Sequence, residues 1–387
     1  MQGKEIERRE VEIMEDFKSG NDDGRLMGAG RFLSLGLVTR QTEPRVFETP
    51  VNKVDSFLTP NELFYVRSHS AAPKLDVESY RLQIDGAVRN PISLTYCQLR
   101  SMPPVTQTAL LECAGNSRVF LVPQVRGAQW ELGAVGTAEW TGVPLRYLLE
   151  QAGLDNDACE LVLEGPDRAQ PTEDPKPSTL VPYARSLSRA KALQGGVLIA
   201  YQMNGQDLTE DHGYPVRAIV PGHYAMASVK WLTRICAIKQ PFRGYWQTSD
   251  YAYWEYVDGQ PLRRALGEIK LKSEIFRPAP HETVLTNQPF TVFGAAWAGE
   301  TEVTEISIST DGGQTWAQGE FIDPINRYAW RRWKFHWVTP NQPGRCTLLS
   351  RAKAANGEVQ PETHDENYGG YVINHPVPIE VTIALPR

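Results

Sequence analysis

The feature that most constrains this chain is a change of character near residue 262. Beyond it, helical signals vanish. Residues 286–387 read as short strand-like runs separated by turns: PFTVFGAAW, EVTEISIST, DGGQTWAQGEF, RRWKFHWV, CTLLSRAKA and YVINHPVPIEVTIAL. Runs of this length and spacing predict stacked β-strands rather than helices. Asp311-Gly312-Gly313 supplies the turn that a hairpin between two of them needs. The pattern predicts an all-β, immunoglobulin-like sandwich over residues 256–387.

At 387 residues the chain is longer than one core usually spans, so a second domain is expected upstream. Residues 48–255 mix short strands with helices. YRLQIDGAV at 80–88 alternates as a strand does, and β-like runs follow at 107–111, 161–163, 197–201 and 217–220. PLRYLLEQA at 144–152 has Pro at its start and Gly153 just past its end, which predicts a helix. A shorter helix is predicted over 187–193. The fold class is therefore α+β: a mixed α/β domain followed by the sandwich. Residues 1–47 are polar and weakly patterned, as a loosely attached leader would be. GYWQTSDYAYWEY at 244–256 is dense in aromatics and predicts a packed junction or a pocket wall.

The net charge of -6 argues against nucleic acid as a ligand, because a phosphate backbone needs a clustered basic face. No run of about 18 apolar residues is present, so no membrane association is expected. The N-terminus lacks an apolar export segment, which predicts a cytoplasmic protein, or a periplasmic one if an export signal has been removed. The five cysteines, Cys97, Cys113, Cys159, Cys236 and Cys346, are odd in number and widely spaced. They suit neither a disulfide framework nor a structural zinc site.

One cysteine stands in unusual company. In LLECAGNSR at 110–118, Cys113 leaves an apolar run and enters a turn of Ala114, Gly115 and Asn116. Small residues there let a bulky ligand approach the backbone. A thiolate is the ligand that soft and redox metals favour. Taken alone, such a cysteine is more often a small buried hydrophobe.

ECAGNSR at 112–118 resembles the cysteine motif of the sulfite oxidase family. FYVRSH at 64–69, WTGVPL at 140–145, the stretches 200–217 and 219–235, and WQTSDY at 246–251 resemble that family's further motifs in the same order. The resemblance covers residues 48–387. It implies a molybdenum-molybdopterin cofactor, with Cys113 as the protein's ligand to the metal. It implies cofactor contacts from Tyr65, Val66, Arg67, Ser68, His69, Asp167, His212, Arg217, Ser228, Val229 and Lys230. Arg217 and Lys230 suit a phosphate, and Asp167 suits amino groups on a pterin edge. It implies that Arg67 and Arg118 bind a small oxyanion substrate, that Tyr251 serves the reacting oxygen, and that Trp130 walls the pocket. Homodimerisation through residues 270–387 is also implied. No haem, flavin or nicotinamide signature is present, so an external electron acceptor, such as a cytochrome, is expected.

The expected reaction is oxidation of sulfite, or a related sulfur oxyanion, to sulfate. Reduction of nitrate or of an S- or N-oxide on the same cofactor is the alternative, as is oxidation of sulfane sulfur. Two departures bear on the choice. Ser117 stands where sulfite oxidases have the first of two arginines. Gly369 stands where they present another arginine to the substrate.

Overall fold

The structure is a computed structural model that describes residues 36–174 and 176–386. The part of the expected leader at residues 1–35 lies outside the described residues. Residues 38–47, read from sequence as the end of that leader, are instead built into a sheet. Val38–Gln41 pairs with Val46–Glu48, which pairs in turn with Val66–Arg67. The reason is chemistry that a weak hydrophobic pattern conceals. Val46 is buried, Arg45 binds Asp211 at 2.7 Å, and the Glu48 carboxylate accepts from the backbone N–H groups of Glu131 and Gly133. These anchors hold the strand that carries Arg67.

The chain is mostly β. Among the described residues its α-helices are Tyr96–Ser101, Leu145–Ala152 and Arg189–Leu193, none longer than 8 residues. The helix predicted over 144–152 forms for the reason its sequence suggests. Leu145, Leu148, Leu149 and Ala152 share one face and are fully buried. Each such leucine contributes about 1.5–3 kcal/mol by leaving water. Pro144 is the N-cap rather than the first helical residue, and Gly153 ends the helix at φ 67. The shorter helix starts two residues later than predicted, where the Ser188 side chain caps the Lys191 N–H.

Two five-stranded sheets form the first half. One joins Gln206–Asp207, Leu198–Met203, Val135–Pro144 and Val105–Glu112, with Arg217–Ile219 beside Leu198–Met203. The other joins Ile92–Thr95, Arg81–Gly86, Arg234–Ile238, Glu160–Ala169 and Val181–Ser188. The two halves share one apolar core, while a second cluster gathers Phe64, Tyr65, Leu111, Trp130 and Trp140 around Cys113.

The C-terminal half holds a four-stranded and a five-stranded sheet. Strand Pro289–Trp297 lies between Lys272–Arg277 and Arg331–Val338. Strands Val303–Ser309, Gly344–Ala354 and Ile379–Ala384 lie in the other sheet. Ser273 and Ser350 join the two through their hydroxyls at 2.9 Å. The predicted turn at 311–313 is present. Gly312 and Gly313 take φ 74 and 94, and the Asp311 carboxylate accepts from the Thr315 N–H. The run DGGQTWAQGEF is not one strand. Ala317–Gln318 pairs in one sheet and Glu320–Phe321 in the other, so the chain crosses between sheets at Gly319.

Candidate active site

Strand Val105–Glu112 delivers Cys113 to the wall of a cavity of about 700 Å³. The Cys113 N–H donates to Ala134 O at 2.9 Å, and the turn closes when Asn116 N–H donates back to Cys113 O at 2.9 Å. The thiol is buried and free of any disulfide. Arg67, Tyr65 and Tyr251 line the same cavity and lie within electrostatic reach of Cys113.

Arg67, Arg217 and Lys230 bring three cations to this cavity, and none of their hydrogen-bond partners is charged. Arg67 donates to Ser68 O. Arg217 donates to His212 O at 2.9 Å and to Ser228 O at 3.1 Å. Lys230 donates to Ser68 Oγ at 2.8 Å and to Asp211 O at 2.9 Å. Burial and the nearby Arg217 charge pull Lys230 down to about 7. Burial also lowers Arg217 to about 10 and His212 to about 3, so His212 is neutral at pH 7. Asp167 is pushed up to about 6 by burial, against the pull of Lys230. Buried cations held only by neutral dipoles are costly without an anion beside them.

Tyr251 Oη lies 2.8 Å from His69 Nε2. Burial drives the His69 pKa well below its usual value, with Arg67 and Lys230 adding to the effect. Burial raises Tyr251, so the phenol keeps its proton and shares it with a neutral imidazole. The His69 ring stacks on Tyr183 at 5.1 Å and touches Trp246 at 4.6 Å.

Three buried polar atoms of the cavity-lining residues, Tyr65 Oη, Asp167 Oδ1 and Asp211 Oδ1, have no hydrogen-bond partner. Among the described residues no cluster of three or more His, Cys, Asp and Glu could hold a metal alone. A metal bound to Cys113 therefore needs most of its ligands from outside the protein. A sulfur-donating pterin with a phosphate fits what is present: one free thiol, unpaired cations, and polar atoms in want of partners.

Of the residues singled out by sequence, Cys113, Tyr65, Arg67, Ser68, His69, Asp167, His212, Arg217, Ser228, Lys230 and Tyr251 all line this cavity. Val66 and Val229 are buried just behind it; Val229 O accepts from the Ala218 N–H. Trp130 does not form the wall. It packs edge-on against Tyr65 at 6.1 Å and holds that ring from behind. Arg118 does not line this cavity, although its charge reaches Tyr251. Its guanidinium donates to Gly370 O at 2.8 Å and Ala128 O at 2.9 Å. A Cβ on Gly115 would lie 2.3 Å from that guanidinium. Arg118 lines a second cavity of about 730 Å³, together with Asp250, Gly369 and Tyr371. A Cβ on Gly369 would meet nothing within 4 Å. Phe64, Tyr183, Asp211 and Trp231 also line the first cavity and were not anticipated. Phe64, Asp211 and Trp231 lay within the stretches 64–69, 200–217 and 219–235 that marked the region; Tyr183 did not.

Known proteins resemble this chain over most of its length. Residues 69–246 match the oxidoreductase molybdopterin binding domain, and residues 263–382 match the Mo-co oxidoreductase dimerisation domain. Chicken sulfite oxidase is 35% identical over 347 residues, covering 85% of this chain and 73% of the relative. Human mitochondrial sulfite oxidase is also 35% identical, but this chain spans only 58% of its length. The structure of the sulfane dehydrogenase SoxCD from Paracoccus pantotrophus superposes with a TM-score of 0.76 at 26% identity, covering 92% of each chain. The chain belongs to the sulfite oxidase family of molybdopterin-dependent oxidoreductases.

Proposed function

We propose that this protein oxidises sulfite to sulfate at a molybdenum-molybdopterin centre whose one protein ligand is the Cys113 thiolate. The observation that carries the reading is the sharing of one cavity by a free buried thiol and an Arg67 guanidinium without a charged partner. When bound, the cofactor supplies an oxygen atom to the substrate sulfur and accepts its two electrons. Arg67 holds the oxyanion by charge and orients its sulfur lone pair. Tyr251 keeps a proton at Oη, shared with His69, and would offer it to the oxygen being transferred when the cofactor is bound. Arg217 and Lys230 bind the cofactor phosphate as a fork and a point charge. Tyr65, Ser68, His69, Asp167, His212 and Ser228 meet the rest of the pterin, with Val66 and Val229 contributing backbone groups. Trp130 acts by supporting Tyr65.

Residues 48–255 form the cofactor domain in this reading. Residues 256–387 form an immunoglobulin-like sandwich through which two copies pair. The electrons pass to a separate acceptor such as a cytochrome.

A second substrate, sulfane sulfur, is favoured by one observation. Arg118 donates to Gly370 O and Ala128 O and lines the neighbouring cavity, so the Cys113 cavity lacks one of the two expected substrate arginines, which suits a less charged sulfur. Steady-state assays with ferricyanide separate the cases. Turnover of sulfite with a saturating KM is the expected result. Turnover of thiosulfate alone selects the second substrate. Turnover only of nitrate, with a reduced dye as donor, overturns the proposal.

A further inference from the structure

The loop that carries Cys113 is held from the C-terminal half of the chain. Strand Lys272–Arg277 opens with Lys-Ser-Glu, a triplet that reads as surface. Yet Lys272, Ser273 and Glu274 are each only 1% exposed. Glu112, the residue before Cys113, is 2% exposed. Lys272 Nζ lies 2.8 Å from Glu274 Oε1 and 3.3 Å from Glu112 Oε1, and it donates to Ser117 Oγ at 3.0 Å. Glu274 Oε1 accepts from Ser117 Oγ at 2.6 Å and from Asn116 Nδ2 at 3.1 Å. Trp297 Nε1 donates to the other oxygen of Glu112 at 2.9 Å. Residues 112, 116 and 117, which bracket the cysteine, thus converge on one charged cluster.

A second hold acts on the same loop. The Val372 N–H donates to Ala114 O at 2.8 Å. Val372 takes φ 55 to do so, a backbone region that β-branched residues rarely occupy. Buried ion clusters are weak stabilisers, because apolar replacements of similar volume are often as stable. Their hydrogen bonds, however, are directional and define one geometry. A metal ligand needs that kind of definition, to within about 0.5 Å.

We infer that Lys272 and Glu274 are positioning residues for the Cys113 thiolate. Through Glu112, Asn116 and Ser117 they hold the 112–117 loop in the shape that presents Sγ to the cofactor cavity. Its consequence for turnover rests on Cys113 being the metal ligand; its effect on the loop does not.

The test uses the full-length, cofactor-free chain carrying Lys272→Met and Glu274→Gln together. The pair removes one charge of each sign and leaves the net charge at -6. The readout is the rate of iodoacetamide alkylation at each cysteine, resolved by peptide mass spectrometry. Cys97 is exposed and calibrates the reagent; Cys159, Cys236 and Cys346 are half-buried and report any general loosening. Local release of the loop is expected to speed alkylation of Cys113 by roughly tenfold while the other four rates hold. Ser117→Ala, which deletes one hydroxyl, is expected to act in the same direction with smaller size. It replaces the double variant if circular dichroism shows that variant unfolded. An unchanged Cys113 rate in a folded variant overturns the inference, as does an equal rise at every half-buried cysteine. In the holoenzyme the double variant is expected to lose kcat with KM retained. Absence of sulfite turnover in the parent protein would end the functional reading and leave the alkylation result standing.

Discussion

Lys230 gives a direct test of the electrostatics of the cavity. Its ammonium sits 4.3 Å from the Trp231 ring and donates to Ser68 Oγ and Asp211 O. Burial and Arg217 lower its pKa from 10.5 to about 7, and Asp211 and Asp167 offset only part of that. Between those two values the unfolded chain holds a proton that the folded chain has lost. Folding is therefore favoured as pH rises through the window, by up to about 1.4 kcal/mol per pH unit for one group. Between pH 7.5 and 9.0 the cofactor-free protein should gain roughly 2 kcal/mol from Lys230 alone. Lys230→Met removes the titration. Asp167 at about 6 and His212 at about 3 titrate below the window in the parent; without the pull of Lys230 the Asp167 pKa rises, which costs the variant stability as pH rises and so adds to the difference in the same direction. Calorimetric melting of both proteins across the window reads the difference. For a chain of this length the parent Tm should rise by roughly 2–3 °C relative to the variant. Inorganic phosphate should flatten the rise, because an anion beside Lys230 restores its proton. Parallel profiles for parent and variant would refute the reasoning.

Three further outcomes are expected. Arg67→Met should raise the KM for sulfite about 10–100-fold, the loss of one charge-assisted hydrogen bond, whereas Arg118→Ala should move it by less than about tenfold while lowering Tm; steady-state kinetics and melting decide between them. Cys113→Ser should keep its circular dichroism spectrum and lose turnover; an active variant would contradict the assignment of the metal ligand. Gly153→Ala, at a left-handed helix end with φ 67, should cost about 1 kcal/mol in chemical denaturation and leave kcat unchanged.

Much of this fold was legible because its signals are local. The Leu145–Ala152 helix announces itself through leucines three and four apart and a glycine stop. Strand Arg331–Val338 coincides with the run read from sequence. The cations of the cavity were legible only together, since Arg217 or Lys230 alone would pass for a surface charge. What sequence hid is pairing across distance. Lys272 meets Glu112 across 160 positions, and each looks solvent-exposed until the other is beside it. Arg118 was placed in the pocket by the resemblance of ECAGNSR to the family's cysteine motif, which carries no information about its long-range partners. The guanidinium then finds Gly370, 252 positions away. These misreadings share a cause. The cysteine loop belongs to the first half of the chain, yet Lys272, Glu274, Gly370 and Val372 of the second half decide its shape. A motif search reads the loop; the partners that orient it are dispersed, polar and without a motif of their own. The C-terminal sheets therefore do more than pair copies of the chain: they complete the setting of Cys113. For this reason a variant far from the cavity in sequence, such as one at Lys272, is expected to change the setting of Cys113 as directly as a substitution within ECAGNSR.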